Sequence, residues 1–192
     1  MNKTKTEKIL VIHTHYRDKG GEDIAVDEEI KFLRKFYDVD TLFFSNKFDK
    51  RFLQSLFLLL NYNFISSRKL NSKINTFKPD ICYVHNTWFE GSISIIRLLQ
   101  KRGLKTIIKV HNSRLNCCNS FFVKNHINRE QFCNGCGQRR KKYQIFNKTF
   151  SNSYLKSFLV VRHTKKLLSY IISFKITVLA LGEFQKNQLS KI

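Results

Sequence analysis

Apolar residues in this chain fall into short continuous runs that alternate with stretches of helical spacing. Ile9-Leu-Val-Ile12, inside Lys8 to His13, is an uninterrupted apolar run, the pattern of a strand buried on both faces. Glu22 to Phe36 then places Val26, Ile30 and Leu33 on one helical face, with Asp23, Asp27, Glu28 and Lys31 largely elsewhere. Val39 to Phe44 predicts a second strand. Phe48 to Phe77 reads as two helices broken at Tyr62-Asn63, and Lys78-Pro79-Asp80 punctuates before a third strand, Ile81 to His85. Ser92 to Arg102 predicts a helix stopped by Gly103. Thr106 to His111 predicts a fourth strand, Asn152 to Ser173 a long helix, Lys175 to Ala180 a fifth strand, and Glu183 onward a last helix. Strands and helices alternate at crossover spacing, so the fold class expected is α/β, a Rossmann-like doubly wound and mostly parallel sheet. Only 113–150 lacks a clean period; it is expected to be an irregular insertion in a single domain spanning 1–192.

The 192 residues suffice for one core without disulfide staples. One proline and seven glycines exclude collagen-like and Pro/Gly-rich disordered classes. Charge changes the picture more. The formal net charge is +21. Residues 1–90 hold 15 Lys and Arg against 12 Asp and Glu, a net of +3; residues 91–192 hold 20 against only Glu130 and Glu183, a net of +18. Such asymmetry points to an anionic partner, either nucleic acid, a phosphorylated ligand or an anionic membrane surface, or else to compositional drift toward Lys and Asn. The longest apolar stretch, Phe52 to Ile65, is too short to span a bilayer and contains Gln54, Asn61 and Asn63. With no secretory signal pattern, the expected location is the cytoplasm, with peripheral association at the inner face of the membrane as an option.

Candidate chemistry gathers where the strands end, the rim at which open α/β sheets bind ligands. Strand one runs into His13, His15, Arg17 and then Gly20-Gly21-Glu22-Asp23; strand three runs into His85-Asn86; strand four runs into His111-Asn112-Ser113-Arg114. Histidine and asparagine both offer donors and acceptors suited to gripping hydroxyl groups. The glycine pair before a helix lets a ligand approach the backbone, and the helix start favours an anion; a tight strand-to-helix turn, with Glu22 and Asp23 complementing the helix dipole, explains it equally. Cys133-Asn-Gly-Cys136 is a C-x2-C pair that could hold a structural zinc together with Cys117. The adjacent Cys118 is poorly placed as a further ligand, and His126 is a substitute. Cys82, in a buried strand, is expected to be core. Arg139-Arg-Lys-Lys142, and the helix carrying Lys156, Arg162, Lys165 and Lys166, read as a basic amphipathic surface for a membrane, or as a solvated face.

Taken in order, these stretches resemble the N-terminal domain of family-4 glycosyltransferases of the GT-B fold. The resemblance rests on Ile9 to His13, Gly20-Gly-Glu-Asp23 with Val26 to Ile30, Lys78-Pro-Asp-Ile81 through Val84-His-Asn-Thr87, Val110-His-Asn-Ser-Arg-Leu115, and Leu179-Ala-Leu-Gly-Glu-Phe184, where Gly182 replaces a usual serine. It implies transfer of a sugar from a nucleotide-sugar donor to a glycan or lipid-linked acceptor, as in bacterial capsule or lipopolysaccharide assembly, without a catalytic metal or other cofactor. It further implies that His111 is the catalytic-site residue touching the donor sugar, and that Gly20, Gly21, Glu22, His85, Asn86, Asn112 and Arg114 bind substrate. Asn112 stands where many relatives have Asp, and a His-Asn-x-Arg subgroup carries the cysteines matched by Cys117, Cys133 and Cys136, with Thr149 at the last cysteine position. The family's Glu-x7-Glu pair, which belongs to a second, donor-binding domain, is absent. The expectation is therefore a truncated or split enzyme, inactive without a separately encoded C-terminal domain. The alternative class is a non-catalytic module, either a basic nucleic-acid binder or a zinc-stabilised interaction domain.

Overall fold

A computed structural model of the chain describes residues 6–16, 18–46, 56–57, 59–115, 148, 150 and 152–190. Its strands are β1 (Lys8–His15), β2 (Asp38–Ser45), β3 (Ile81–Val84), β4 (Lys105–Val110) and β5 (Thr177–Ala180). Its helices are α1 (Gly21–Leu33), α2 (Phe64–Phe77), α3 (Ser94–Lys101), α4 (Tyr154–Ser173) and α5 (Glu183–Leu189), with a 3-10 turn at Ser113–Leu115. The five strands form one parallel sheet in the order β2-β1-β3-β4-β5. The fold is α/β and Rossmann-like, as the alternation of apolar runs predicts.

That order follows from the connections. β1 passes through α1 to β2 on one side, the chain then crosses to β3 on the other side, and α3 leads on to β4. Right-handed crossovers in opposite directions put α1 and α3 on opposite faces of the sheet. β1 is consequently buried on both faces. Ile9 and Val11 pack with Val26 and Ile30 of α1 and with Tyr83, while Leu10 and Ile12, of the other parity, are fully buried too. β1 pairs with β2 from Lys8↔Asp38 to His15↔Ser45 and with β3 from Ile9↔Ile81 to Ile12↔Val84.

Ends are set by polar groups. Asn63 caps α2, its side-chain oxygen accepting from the N–H of Ile65 and Ser66 at 3.0 and 3.2 Å. Lys78 closes α2 in the left-handed region, φ 52°. Gly103, φ 66°, follows α3 as its spacing predicts. Most boundaries move by one to three residues from the sequence reading, and in two of them the bonds that move them are clear. β1 continues two residues past His13, because pairing with Phe44 and Ser45 carries Thr14 and His15 into the ladder. α1 stops at Leu33 rather than Phe36, where tighter bonds, Lys35 N–H to Phe32 O and Phe36 N–H to Leu33 O, unwind it. The helix expected before Tyr62 is seen at Leu56, Phe57, Leu59 and Leu60; most of it, and most of 113–150, lies outside the described residues.

The chain divides into two compact units, Met1–Lys109 with Phe174–Leu179, and Val110–Ser173 with Ala180–Ile192. The first contains nearly the whole sheet. In the second, the 3-10 turn packs against α4. No helix among the described residues is long and apolar enough to cross a membrane.

Candidate functional site

In a sheet ordered 2-1-3-4-5, the strand order reverses between β1 and β3, and the crevice beyond their carboxyl ends is the preferred ligand position. The chain places a connected polar cluster there. Its centre is Asp23, third residue of α1 and 1% exposed. One carboxylate oxygen accepts the backbone N–H of Gly20 at 2.9 Å, capping the helix. The other lies 2.9 Å from His13 Nε2 and 2.8 Å from His15 Nδ1. An ionised carboxylate can only accept, so each imidazole donates its N–H to it.

Burial would push the Asp23 carboxyl up. The Gly20 N–H, then His13 and His15, outweigh it and hold the group at about 2. Burial lowers His13, against the pull of its bond to Asp23 and reinforced by the nearby His15. His13 is therefore a neutral ring. Its Nδ1 and the Thr14 hydroxyl are buried with no hydrogen-bond partner among the described residues.

His85 ends β3. Its backbone N–H donates to Ile12 O at 2.9 Å, tying it to β1. Its ring lies 4.4 Å from that of Tyr83, tilted by 58°, and meets His13 edge-on at 6.2 Å. Beneath it Glu29 accepts from Tyr83 at 2.9 Å and from Lys109 at 2.8 and 2.9 Å, with His85 Nε2 3.9 Å away. Asn86 is committed to scaffold: its NH2 donates to Thr14 O at 3.2 Å and its oxygen accepts from Trp88 N–H at 2.9 Å. The loop beyond is stitched down as well. Asn46 donates to Trp88 O, and Asn63 and Ser66 donate to Glu90 O. Gly91 is needed by this packing, because a Cβ there would stand 2.6 Å from Thr14 Oγ1 and 2.8 Å from Thr87 Cα.

The glycine pair of the first loop is different. Gly20 is extended (φ −110°, ψ 178°), a conformation open to any residue. A Cβ on Gly20 would make only ordinary contact with Asp23, and one on Gly21 would meet open space. Nothing within the described residues requires glycine at either place. Glu22 accepts from the Tyr16 hydroxyl at 2.9 Å, bracing the loop.

The remaining sequence-predicted residues belong to the second unit and are described there. His111 follows β4 and is half-buried. Asn112 accepts the Arg114 N–H at 2.9 Å through its side chain and Gln185 Nε2–H at 3.1 Å through its carbonyl, so it organises the turn after the strand. Arg114 lies in the 3-10 turn, half-buried. The zinc set Cys117, Cys133 and Cys136, together with His126 and Arg17, lies outside the described residues.

The sequence reading put all three strand-end clusters on one rim, His13, His15 and Gly20 to Asp23, His85-Asn86, and His111-Asn112, and the one specific role it weighed for Asp23 was to complement the helix dipole. The signal that could have found its partners is period two: His13 and His15 lie on one face of β1. Their ligand atoms and that of Asp23 fall within 4.8 Å of one another, close enough for a metal ion. The hydrogen-bonded state fits better. A metal on His13 Nε2 would move the ring proton to Nδ1, which has no acceptor among the described residues, whereas metal-bound imidazoles characteristically donate from the second nitrogen. No protein-family model matches the chain, and no curated protein matches it.

Proposed function

We propose that this chain is the acceptor-binding domain of a GT-B-type glycosyltransferase, working with a nucleotide-sugar-binding domain to pass a sugar to a glycan or lipid-linked acceptor. The observation that carries the reading is the polar rim at the β1/β3 reversal. Gly20 and Gly21 open the backbone at a helix start without being required by local packing. Beside them stands His15, a partly exposed ring suited to a hydroxyl ligand, whereas the side chain of His85, the other histidine of the rim, is buried. The ordered motifs from Ile9 to Phe184 support the same family. On this reading His111, at the end of β4, faces the donor sugar, and the reaction needs no metal. A zinc at Cys117, Cys133 and Cys136 would be structural. The +18 half would hold the domain on an anionic membrane surface near a lipid-linked acceptor.

The test is a titration of isotope-labelled chain, followed by NMR, with methyl hexosides, methyl N-acetylhexosaminides and short-chain prenyl-diphosphate sugars. The expected result is saturable shifts at Gly20, Gly21 and His85, together with binding to liposomes containing anionic lipid. Absence of saccharide shifts, with tight and salt-steep binding of DNA or RNA instead, would establish a nucleic-acid module and refute the proposal.

A further inference from the structure

The histidine pair on β1 is not symmetrical. His13 is fully buried. His15, two residues on, has a side chain about one-third exposed. Its Nδ1 lies 2.8 Å from the Asp23 carboxylate, which can only accept, so the neutral ring carries its proton on Nδ1 and keeps a lone pair on Nε2. Among the described residues Nε2 has no hydrogen-bond partner; the ring's other neighbours are His13 at 4.9 Å and Phe43 at 4.7 Å, both edge-on. Asp23 is itself fixed by the Gly20 N–H on its other oxygen and by His13 on the oxygen it shares with His15. A buried, immobilised carboxylate thus sets the tautomer and the angle of a half-exposed imidazole at the end of a central strand.

We propose that His15 Nε2, positioned by Asp23, is a hydrogen-bond acceptor for a hydroxyl group of a neutral polyhydroxyl ligand at the end of β1. The chemistry selects the class. A bare lone pair needs a donor, and a hydroxyl supplies one. The negative charge of Asp23 behind the ring disfavours an anion at this spot. Phe43, 39% exposed and next to the ring, offers a π face whose negative centre attracts the C–H groups of a sugar ring. The inference rests on the acceptor-domain reading above, and it names the residue of this chain that meets the acceptor's hydroxyl.

The experiment uses the full chain with 15N-labelled histidine. Long-range 1H–15N spectra of the ligand-free protein should show His15 protonated on Nδ1 and bare at Nε2. Asp23→Asn should shift the balance toward the Nε2–H form, a change that loss of packing alone would not produce. For the saccharide giving the largest shifts at Gly20 and Gly21, His15→Gln should weaken binding about tenfold, with the variant's fold verified by its amide spectrum. A proton on Nε2 of the native protein overturns the proposal without any variant being made. So does unchanged affinity in folded His15→Gln. If His15 shows the bare Nε2 but no saccharide in the panel binds, the acceptor-domain reading fails, and the sugar as ligand fails with it.

Discussion

Asp23→Asn removes one negative charge from a site that three N–H donors have been built to hold. The cost can be worked from the structure. The carboxyl is displaced from its ordinary 3.8 to about 2. At about 1.4 kcal/mol per pH unit, the native state gains about 2 kcal/mol from keeping it ionised. The hydrogen-bond inventory agrees in scale. Bonds to a charged acceptor contribute about 1.5–3 kcal/mol each, and asparagine keeps one acceptor while turning an NH2 toward donors that have nowhere else to go. The expected loss for Asp23→Asn at pH 7 is about 2–4 kcal/mol. The native value lies below that of the unfolded chain, so the contribution is complete above about pH 4 and is lost as pH falls through 2. Trp88, the sole tryptophan, is buried in the same unit and reports its unfolding by fluorescence. Urea unfolding of both proteins at pH 7, 4, 3 and 2.5 should show the gap between them shrinking below pH 4. A gap as wide at pH 2.5 as at pH 7, or an Asp23 carboxyl that titrates at 3.8 or above, would refute the reasoning.

Other consequences follow from packing and burial. Gly91→Ala should destabilise by about 1–3 kcal/mol, since its Cβ meets Thr87 backbone at 2.8 Å and Thr14 Oγ1 at 2.6 Å; an unchanged urea midpoint would mean that the loop is free to shift. Burial pushes the Cys82 thiol up to about 12, so iodoacetamide at pH 8 should leave it unmodified in the native chain and label it in urea, as read by peptide mass. Burial, with the Arg114 charge second, lowers His163 to about 3. Its native state therefore binds fewer protons than the unfolded chain. Stability of the second unit is complete above about pH 6.5 and should fall by up to about 1.4 kcal/mol per pH unit below that. Amide exchange along α4 measures this, and His163→Gln should flatten the dependence.

Much of the scaffold was legible because burial on both faces leaves an uninterrupted apolar run, as in Ile9 to Ile12, and because Asn63 and Gly103 mark helix ends by local chemistry. The rim was legible only in outline. His13, Thr14 and His15 are polar or amphipathic, so hydropathy ended β1 too early, and ladder pairing with β2 carried it on. Asn86 looked like a ligand contact because its amide could bond anything; the fold gives both ends of that amide backbone partners. Glu29 carried no local signal, since its partner Lys109 is 80 positions away, and at Gly91 the approach of Thr14, 77 positions away, adds to the local one of Thr87.

The sequence by itself determined the α/β class, the strand count, the helix caps and the charge imbalance, because each is written in neighbours or in spacing of two and three to four residues. Tertiary structure alone decided that the strand order reverses between β1 and β3, and that Asp23 lies under His13 and His15 rather than merely at a helix start. Those facts come from sheet order and from side chains eight and ten positions apart in the chain brought to 2.8 and 2.9 Å. The physical reason is burial. A carboxylate 1% exposed must find donors, and only the folded arrangement of β1 against α1 supplies them.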